Sequence, residues 1–439
     1  MDAVLLARIQ FAVTIGFHFI FPPISIGLAW LLVVMEWMGW RRGDETWSRM
    51  GRFFGKLLAL TFAVGVATGI TMEFQFGTNW AEYSKYVGDI FGAPLAAEGV
   101  LAFFLESGFL GLYLFGRGRV SKGAHWFSIL MVAVGATVSA FWIIVANSWQ
   151  QTPAGFAVRN GRAELESFSA AVLNPSTLPR FFHTVDAALI AGAFVVAGVA
   201  AWLLLKGRES DMAKRALALA LAVGFAASLV ELFPLGDWHA KQVARTQPEK
   251  FAAQEGLYVG QARAPLVLFG IPATDPPRLV ASLEAPGLLS WMAFGDVNAH
   301  VRGVDEFPPE NLPPLRLTFL AFHSMVGLGM LFIALTGWGV AQLLLGKLGE
   351  RRIYLMILVA AMPLPVVACQ LGWIAAEVGR QPWIVYGLLR TSDAASRAVT
   401  AGQIVASIVL FSLVYLALGA LWVFLMAREV KHGPEPARA

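Results

Sequence analysis

The chain of 439 residues is 57% hydrophobic and 14% charged, far below the roughly 25% charge of a soluble domain, which excludes a soluble globular protein and points to several membrane spans. Its net charge of +4 is small and most Lys and Arg lie in short loops between apolar runs, a membrane-orienting pattern that excludes a nucleic-acid partner. The single cysteine, Cys369, rules out an intrachain disulfide, a cysteine-ligated iron–sulfur cluster and a CxxCH haem attachment, so any cofactor is held noncovalently by His, Met, Glu or main chain.

The first apolar run, Ile9 to Trp40, exceeds the roughly 7–15 residues of a signal-peptide core and is read as the first span. Within it, "GFHFIFPPIS" sets His18 just ahead of Pro22 and Pro23. Neither proline can donate to the carbonyls of His18 and Phe19, so the helix is expected to kink where His18 projects. Runs long enough for a ~30 Å core lie at about 9–39, 53–77, 94–116, 125–147, 184–206, 213–234, 317–345, 353–376 and 400–427, predicting an all-α integral membrane protein of about nine transmembrane helices. Basic groups at Arg41–Arg52, Arg117–Lys122, Lys206–Arg215, Lys347–Arg352 and from Arg428 onward all fall on one side if the chain starts outside. The positive-inside rule therefore predicts the N-terminus outside and the C-terminus cytoplasmic. Helices 1–6 then occupy 1–234, a long outer loop 235–316, helices 7–9 317–427 and a cytoplasmic tail 428–439, with further outer loops at about 78–93, 148–183 and 377–399.

In this frame the unusual residues share a depth. His18 lies in the outer half of the first helix, Glu98 near the outer start of the third, and His183 at the outer end of the fifth. His323 and Met325 sit near the outer start of the seventh helix and Glu377 near the outer end of the eighth. Glu106 lies about 12 Å deeper than Glu98 and, on a regular helix, about 80° around from it. A lone membrane His is as readily a packed group as a ligand, and a Met is usually core filler. A carboxylate within a span costs a few kcal/mol and calls for a function. The common level of all these groups is what favours a ligand site.

"GWIAAEVGRQPW" puts Trp373 and Glu377 on one helix face, with Arg380 at the surface able to grip a carboxylate bidentately. In "TQPEKFAAQEG", Pro248 suits the first position of a short helix and Gly256 its C-cap. Lys250 and Glu255 stand about 140° apart on it and do not neutralise each other; by pattern alone this is a solvated surface helix.

Taken in order, "RIQFAVTIGFHFIFPPISIG", "GVATGITMEFQFGTNW", "VGDIFGAPLAAEGVLAFFLES", "WIIVANSWQQTP", "FFHTV" and "GRQPW" resemble subunit I of cytochrome bd-type quinol oxidases, from the first helix to the ninth. The resemblance implies an enzyme of the bacterial cytoplasmic membrane that oxidises quinol at the outer face and reduces dioxygen with cytoplasmic protons, building a protonmotive force without pumping. It implies His183 and Met325 as axial ligands of a low-spin haem b. It implies His18 and Glu377 as ligands of two further haems, a high-spin haem b and either haem d or another haem b. Glu98 and Glu106 become the carboxylates of the proton route, Glu98 nearer the haems and Glu106 the deeper relay. Lys250 and Glu255 become the quinol-binding pair, with Arg380 and Trp373 packed around the haems and Arg8 a propionate partner. A second membrane subunit, a small single-helix accessory subunit, and ubiquinol or menaquinol are implied as partners. The outer loop looks like the short type, and His323 stands where some members have Arg. Positions 323 and 325 point about 200° apart, so only one faces a given haem, and Met325 is the expected one. The competing reading of the same residues is a proton-coupled transporter with Glu98, Glu106 and Glu377 as its relay.

Overall fold

The computed structural model describes residues 2–274 and 277–435. The chain opens with α1 (Ala3–His18), which ends on His18, and α2 (Phe21–Arg42), which restarts with Pro22 and Pro23 in its first turn. Proline is tolerated there because first-turn N–H groups have no intrahelical acceptor. The expected kink is thus a complete break: Phe19 N–H still reaches Ile15 O at 2.8 Å, after which the ladder lapses into a tighter Ile20-to-Phe17 bond of 3.3 Å.

The rest follows in order. After α3 (Glu45–Thr78), α4 (Ala81–Ala97) passes through a π-helical turn (Glu98–Ala102) into α5 (Phe103–Phe115). Next come α6 (Lys122–Gln151), the hairpin β1 (Phe156–Arg159) and β2 (Arg162–Leu165), short α7 (Phe168–Val172) and α8 (Thr177–Leu205). α9 (Ser210–Val230) runs through a second π segment (Glu231–Gly236) into α10 (Asp237–Thr246), and α11 (Pro248–Glu255) follows. The loop beyond carries β3 (Gln261–Ala262), β4 (Leu266–Thr274), β5 (Pro277–Ala285), α12 (Leu288–Phe294) and β6 (His300–Val301). The chain closes with α13 (Leu315–Leu344), α14 (Arg352–Ala361), α15 (Leu364–Glu377), β7 (Trp383–Val385), β8 (Leu389–Arg390) and α16 (Ala401–His432).

Among the described residues, 9 helical stretches are long and apolar enough to cross a membrane, as expected. Two boundaries differ from the sequence reading. Residues 81–93, expected in a loop, are helical, and the sixth helix does not stop at 234 but reaches Thr246. Hydropathy marks where a helix leaves the bilayer; the backbone ladder continues wherever helix formers follow.

The main apolar core joins α2, α3, α6, α8, α9 and α14 through buried residues such as Leu32, Met35, Phe54, Val196, Leu217 and Tyr354. It fills the end of the bundle that carries the basic loops, and leaves the opposite end to the polar groups. α2 and α8 cross there backbone to backbone: a Cβ on Gly27 would come within 2.0 Å of Ala188 O, and one on Gly192 within 2.3 Å of Gly27 C. Only glycine permits such an approach, and it fixes the His183 helix against the helix that follows His18.

Candidate functional site

His18 is held through one nitrogen. Its Nδ1 lies 3.0 Å from Thr68 Oγ1, and that hydroxyl lies 3.0 Å from both Val64 O and Gly65 O. A hydroxyl has one proton; given to a carbonyl, it leaves the oxygen to accept from His18 Nδ1–H. The imidazole is then fixed as the tautomer with a free Nε2 lone pair, the form in which histidine binds a metal. Gly69 keeps the neighbouring space open, since a Cβ there would stand 3.2 Å from His18 Cε1. Gln370 Nε2 donates to Gly16 O at 2.7 Å, tying α15 to the end of α1, and Trp373 packs edge-on against Phe19 at 5.2 Å between centroids.

Trp373 leads to the second group. Arg180 lies over its ring, 6.0 Å from the centroid, and 3.7 Å from Glu377 Oε1. Glu377 accepts from Arg380 at 2.5 Å, Asn147 at 3.1 Å and Gln151 at 3.0 Å. Arg380 also donates to Gln150 Oε1 at 2.6 Å, Arg180 to Asn147 Oδ1, and Gln150 to the Tyr83 hydroxyl. Glu377, expected as a solitary ligand, is therefore a carboxylate between two guanidiniums. Arg380, expected to reach a propionate, spends one terminal nitrogen on Glu377. Both Arg180 and Arg380 are buried, and the Nε of each has no hydrogen-bond partner.

The same network reaches α11. Lys250 Nζ donates to Gln151 Oε1 at 2.9 Å and to Gln247 Oε1 at 3.2 Å. The helix bounds are those expected, with Pro248 first and Gly256 as a left-handed cap at φ +67°. Its environment is not: Lys250 is 2% exposed and Glu255 4%, so the solvated surface helix is overturned. Burial, reinforced by Arg180, holds the Lys250 ammonium well below its usual pKa, and burial pushes the Glu255 carboxyl up to about 8. Glu255 Oε2 has no hydrogen-bond partner. Two buried groups that favour their neutral forms, one of them unpartnered, suit a small neutral polar molecule better than an ion.

His183 Nδ1 lies 3.1 Å from Glu231 Oε1, and its ring meets that of His239 at 5.3 Å. Glu231 opens the second π segment, on which both α8 and α13 pack. Met325 lies against α15, where a Cβ on Gly372 would stand 3.0 Å from its Sδ. His323 has both ring nitrogens against main-chain carbonyls, Phe319 O at 3.2 Å and Val267 O at 3.0 Å. A neutral imidazole has one N–H to share between those two carbonyls, and Met325 is a second candidate donor on α13.

Glu98 opens the first π segment and accepts from Ser139 Oγ at 2.7 Å. Glu106 is buried against Gly135, where a Cβ would approach its main-chain N to 3.1 Å. Ser139 and Gly135 are i, i+4 on α6, so the Glu98 carboxylate and the Glu106 backbone and Cβ meet one stripe of that helix. This corrects the 80° separation: a π-turn absorbs an extra residue, and the two carboxylates end about 20° apart. Glu73, exposed on α3, lies within electrostatic reach of Glu98. Arg8 is exposed and takes no part in the hydrogen bonds of the Glu377 group.

Sequence reading passed over Thr68, Asn147, Gln150, Gln151, Arg180 and Glu231. Asn147, Gln150 and Gln151 carry a signal, polar spacings of three and four within "WIIVANSWQQTP". Glu231 carries the plainest one, a carboxylate in the apolar run "SLVELFP".

The donors fit a tetrapyrrole better than a bare ion. Among the described residues no three His, Cys, Asp or Glu side chains gather as a metal-binding group. His18, His183, Met325 and Glu377 are instead scattered single donors, which would suit a group that brings most of its iron's ligands itself. The orphaned Nε donors of Arg180 and Arg380, beside a single carboxylate, suit acidic side arms on such a group.

Comparison with known proteins points the same way. Residues 6–434 match the family described as cytochrome bd terminal oxidase subunit I. The chain is 42% identical over 446 residues to the cytochrome bd ubiquinol oxidase subunit 1 of Bacillus subtilis (strain 168), covering 99% of this chain and 95% of that one. It is 36% identical over 501 residues to the cytochrome bd-II ubiquinol oxidase subunit 1 of Escherichia coli (strain K12), covering 99% and 97%. The solved bd oxidase of Geobacillus thermodenitrificans superimposes with a TM-score of 0.92 at 32% identity, over 99% of both chains.

Proposed function

The chain belongs to the cytochrome bd terminal oxidase subunit I family, is a multi-pass protein of the bacterial inner membrane, and serves a haem-containing quinol oxidase with a second subunit; on that premise we propose how its own residues divide the work. Lys250 and Glu255 hold the quinol head, ubiquinol or menaquinol, at the outer face of the membrane. Lys250, whose ammonium burial disfavours, accepts a hydroxyl proton, and Glu255, whose carboxyl burial pushes up to about 8, fixes the other end of the ring by a hydrogen bond. The orientation rests on the basic loops, which share the end of the bundle opposite this site and face the cytoplasm.

His183 and Met325 would hold a low-spin haem b. His18 and Glu377 serve two further haems, one a high-spin haem b and the other haem d or another haem b. Haem bound at these residues would supply single-electron transfer and the reduction of dioxygen. The protein's part is to fix ligands and deliver protons. Thr68 sets the His18 tautomer, Glu231 braces His183, and Arg180, Arg380 and Trp373 surround Glu377. Glu98 and Glu106, aligned on one stripe, hold protons on the way from the cytoplasm. Glu377 is too tightly paired with arginines to relay protons, which removes the third member of the transporter alternative.

The observation that carries this reading is the unbroken chain of contacts from Lys250 through Gln151 to Glu377, of 2.9 and 3.0 Å. It joins the quinol helix to a candidate iron ligand. The test is Lys250→Met in the purified complex. Oxygen uptake driven by quinol should collapse, while uptake driven by a small artificial reductant persists and the haem spectrum is unchanged. Unaltered quinol kinetics would refute the assignment.

A further inference from the structure

Two of the hairpins outside the spanning helices differ in chemistry. β1–β2 carries Arg159, Arg162 and Glu164, ion-paired with one another and with Glu166. β4–β5 has Arg278 and Glu284 as its only charged side chains in the described strands, and exposes Leu268 (58%), Phe269 (57%), Ile271 (53%), Val280 (43%) and Leu283 (61%). A two-stranded ribbon with such a surface is poorly stable in water and prone to associate.

Its attachment says where it lies. Val267 O is 3.0 Å from His323 Nε2, and Leu279 packs on the site helix, where a Cβ on Gly256 would come within 3.2 Å of its Cδ1. His323 lies about 12 Å along α13 from Leu315 at 1.5 Å per residue. The 30 residues of α13 span about 45 Å against a ~30 Å hydrocarbon core. Sharing that excess between the ends puts His323, and the hairpin base with it, at the edge of the core. β4 packs on α13, which exposes Leu317 and Leu320, and α12, which also packs on β4, exposes Trp291 and Phe294, residues that favour the membrane interface.

We propose that the β4–β5 hairpin is a membrane-interface element: bilayer lipid covers its outer face, while its inner face closes the lipid side of α11 through Val267 and Leu279. The depth of its base and its attachment to a spanning helix select the bilayer over water, and cover by a protein partner is an outcome the test separates. The contact with lipid does not depend on what α11 binds, so its test is separate from that of the quinol site.

The test uses the complete oxidase in proteoliposomes on a Cys369→Ser background, with single cysteines from Leu268→Cys, Leu283→Cys and, as the water-facing reference on β1–β2, Arg162→Cys. An intact haem spectrum certifies each variant. A maleimide reacts with the thiolate, and an apolar setting slows it roughly tenfold for each unit by which it raises the thiol. At 268 and 283 a charged, water-soluble maleimide should react roughly tenfold or more slowly than at 162, while a lipid-soluble one labels all three. Equal rates with the charged reagent would place the hairpin in water. Protection from both reagents would mean that protein covers it. Either result overturns the proposal.

Discussion

Replacing Glu255 with glutamine should change how the protein's stability depends on pH, by an amount the structure supplies. Glu255 is 4% exposed with an unpartnered Oε2, and burial moves its carboxyl from 4.5 to about 8. Between those values the folded chain keeps a proton that the unfolded chain has released. Stability therefore falls as pH rises through this window, by about 1.4 kcal/mol per unit, and levels off above the folded value. From pH 5.5 to 7.5 the parent should lose about 3 kcal/mol relative to Glu255→Gln, which has no proton to release. Lys250 acts with the opposite sign, because burial disfavours its ammonium in the fold and not in the unfolded chain. It is present in both proteins, so the difference between their curves isolates Glu255 as far as the two sites act independently. The assay is the midpoint of thermal loss of the haem absorption band in the purified complex. With an unfolding entropy of about 2.1 cal/mol/K per residue, the gap between the proteins should widen by about 3 °C over those two units and then stop growing. A gap that is the same at pH 5.5 and 7.5 would refute a proton-holding Glu255.

Thr68→Val removes the acceptor that fixes His18 Nδ1. Losses of this kind weaken metal binding roughly 10–100-fold, so pyridine haemochrome analysis should find haem missing from the purified complex while the low-spin signal stays; full haem stoichiometry would count against the tautomer argument. Arg380→Leu leaves Glu377 without its 2.5 Å partner and should cost about 3–5 kcal/mol, as breaking a buried ion pair does, seen as a lower thermal midpoint that Arg380→Lys restores only in part. Gly135→Val forces α5 away from α6, because the nearest obstacle is the Glu106 main chain at 3.1 Å. A loss of about 1–3 kcal/mol should accompany slower oxygen uptake, and normal turnover would show that the alignment of Glu98 with Glu106 is dispensable.

What could be read from the sequence was what local chemistry determines. The break after His18 follows from two prolines and needs no neighbour. The bounds of α11 follow from Pro248 and Gly256 in the same way. The burial of α11 could not be read, because it depends on Gln151, 99 residues earlier, meeting Lys250 across the fold. Glu377 was visible as an anomalous carboxylate, but its second guanidinium, Arg180, comes from a helix that hydropathy describes only as apolar. The nearness of the end of α1 to α15 was legible from helix length, and Trp373 against Phe19 and Met325 against Gly372 agree with it.

The π segments are the case where the sequence carries no mark and the consequence is largest. One extra residue in a turn changes neither composition nor hydropathy, yet it rotates everything beyond it by about 100°. Both segments open on a glutamate, Glu98 and Glu231, inside an otherwise apolar helix. In a regular α-helix the apolar stripe on either side of the turn would dictate where each carboxylate pointed. The inserted residue separates those two demands: each half of the helix keeps its packing, and the carboxylate is aimed independently, at Ser139 in one case and at His183 in the other. A glutamate that a bilayer would penalise by a few kcal/mol is thus given a specific polar partner by backbone geometry.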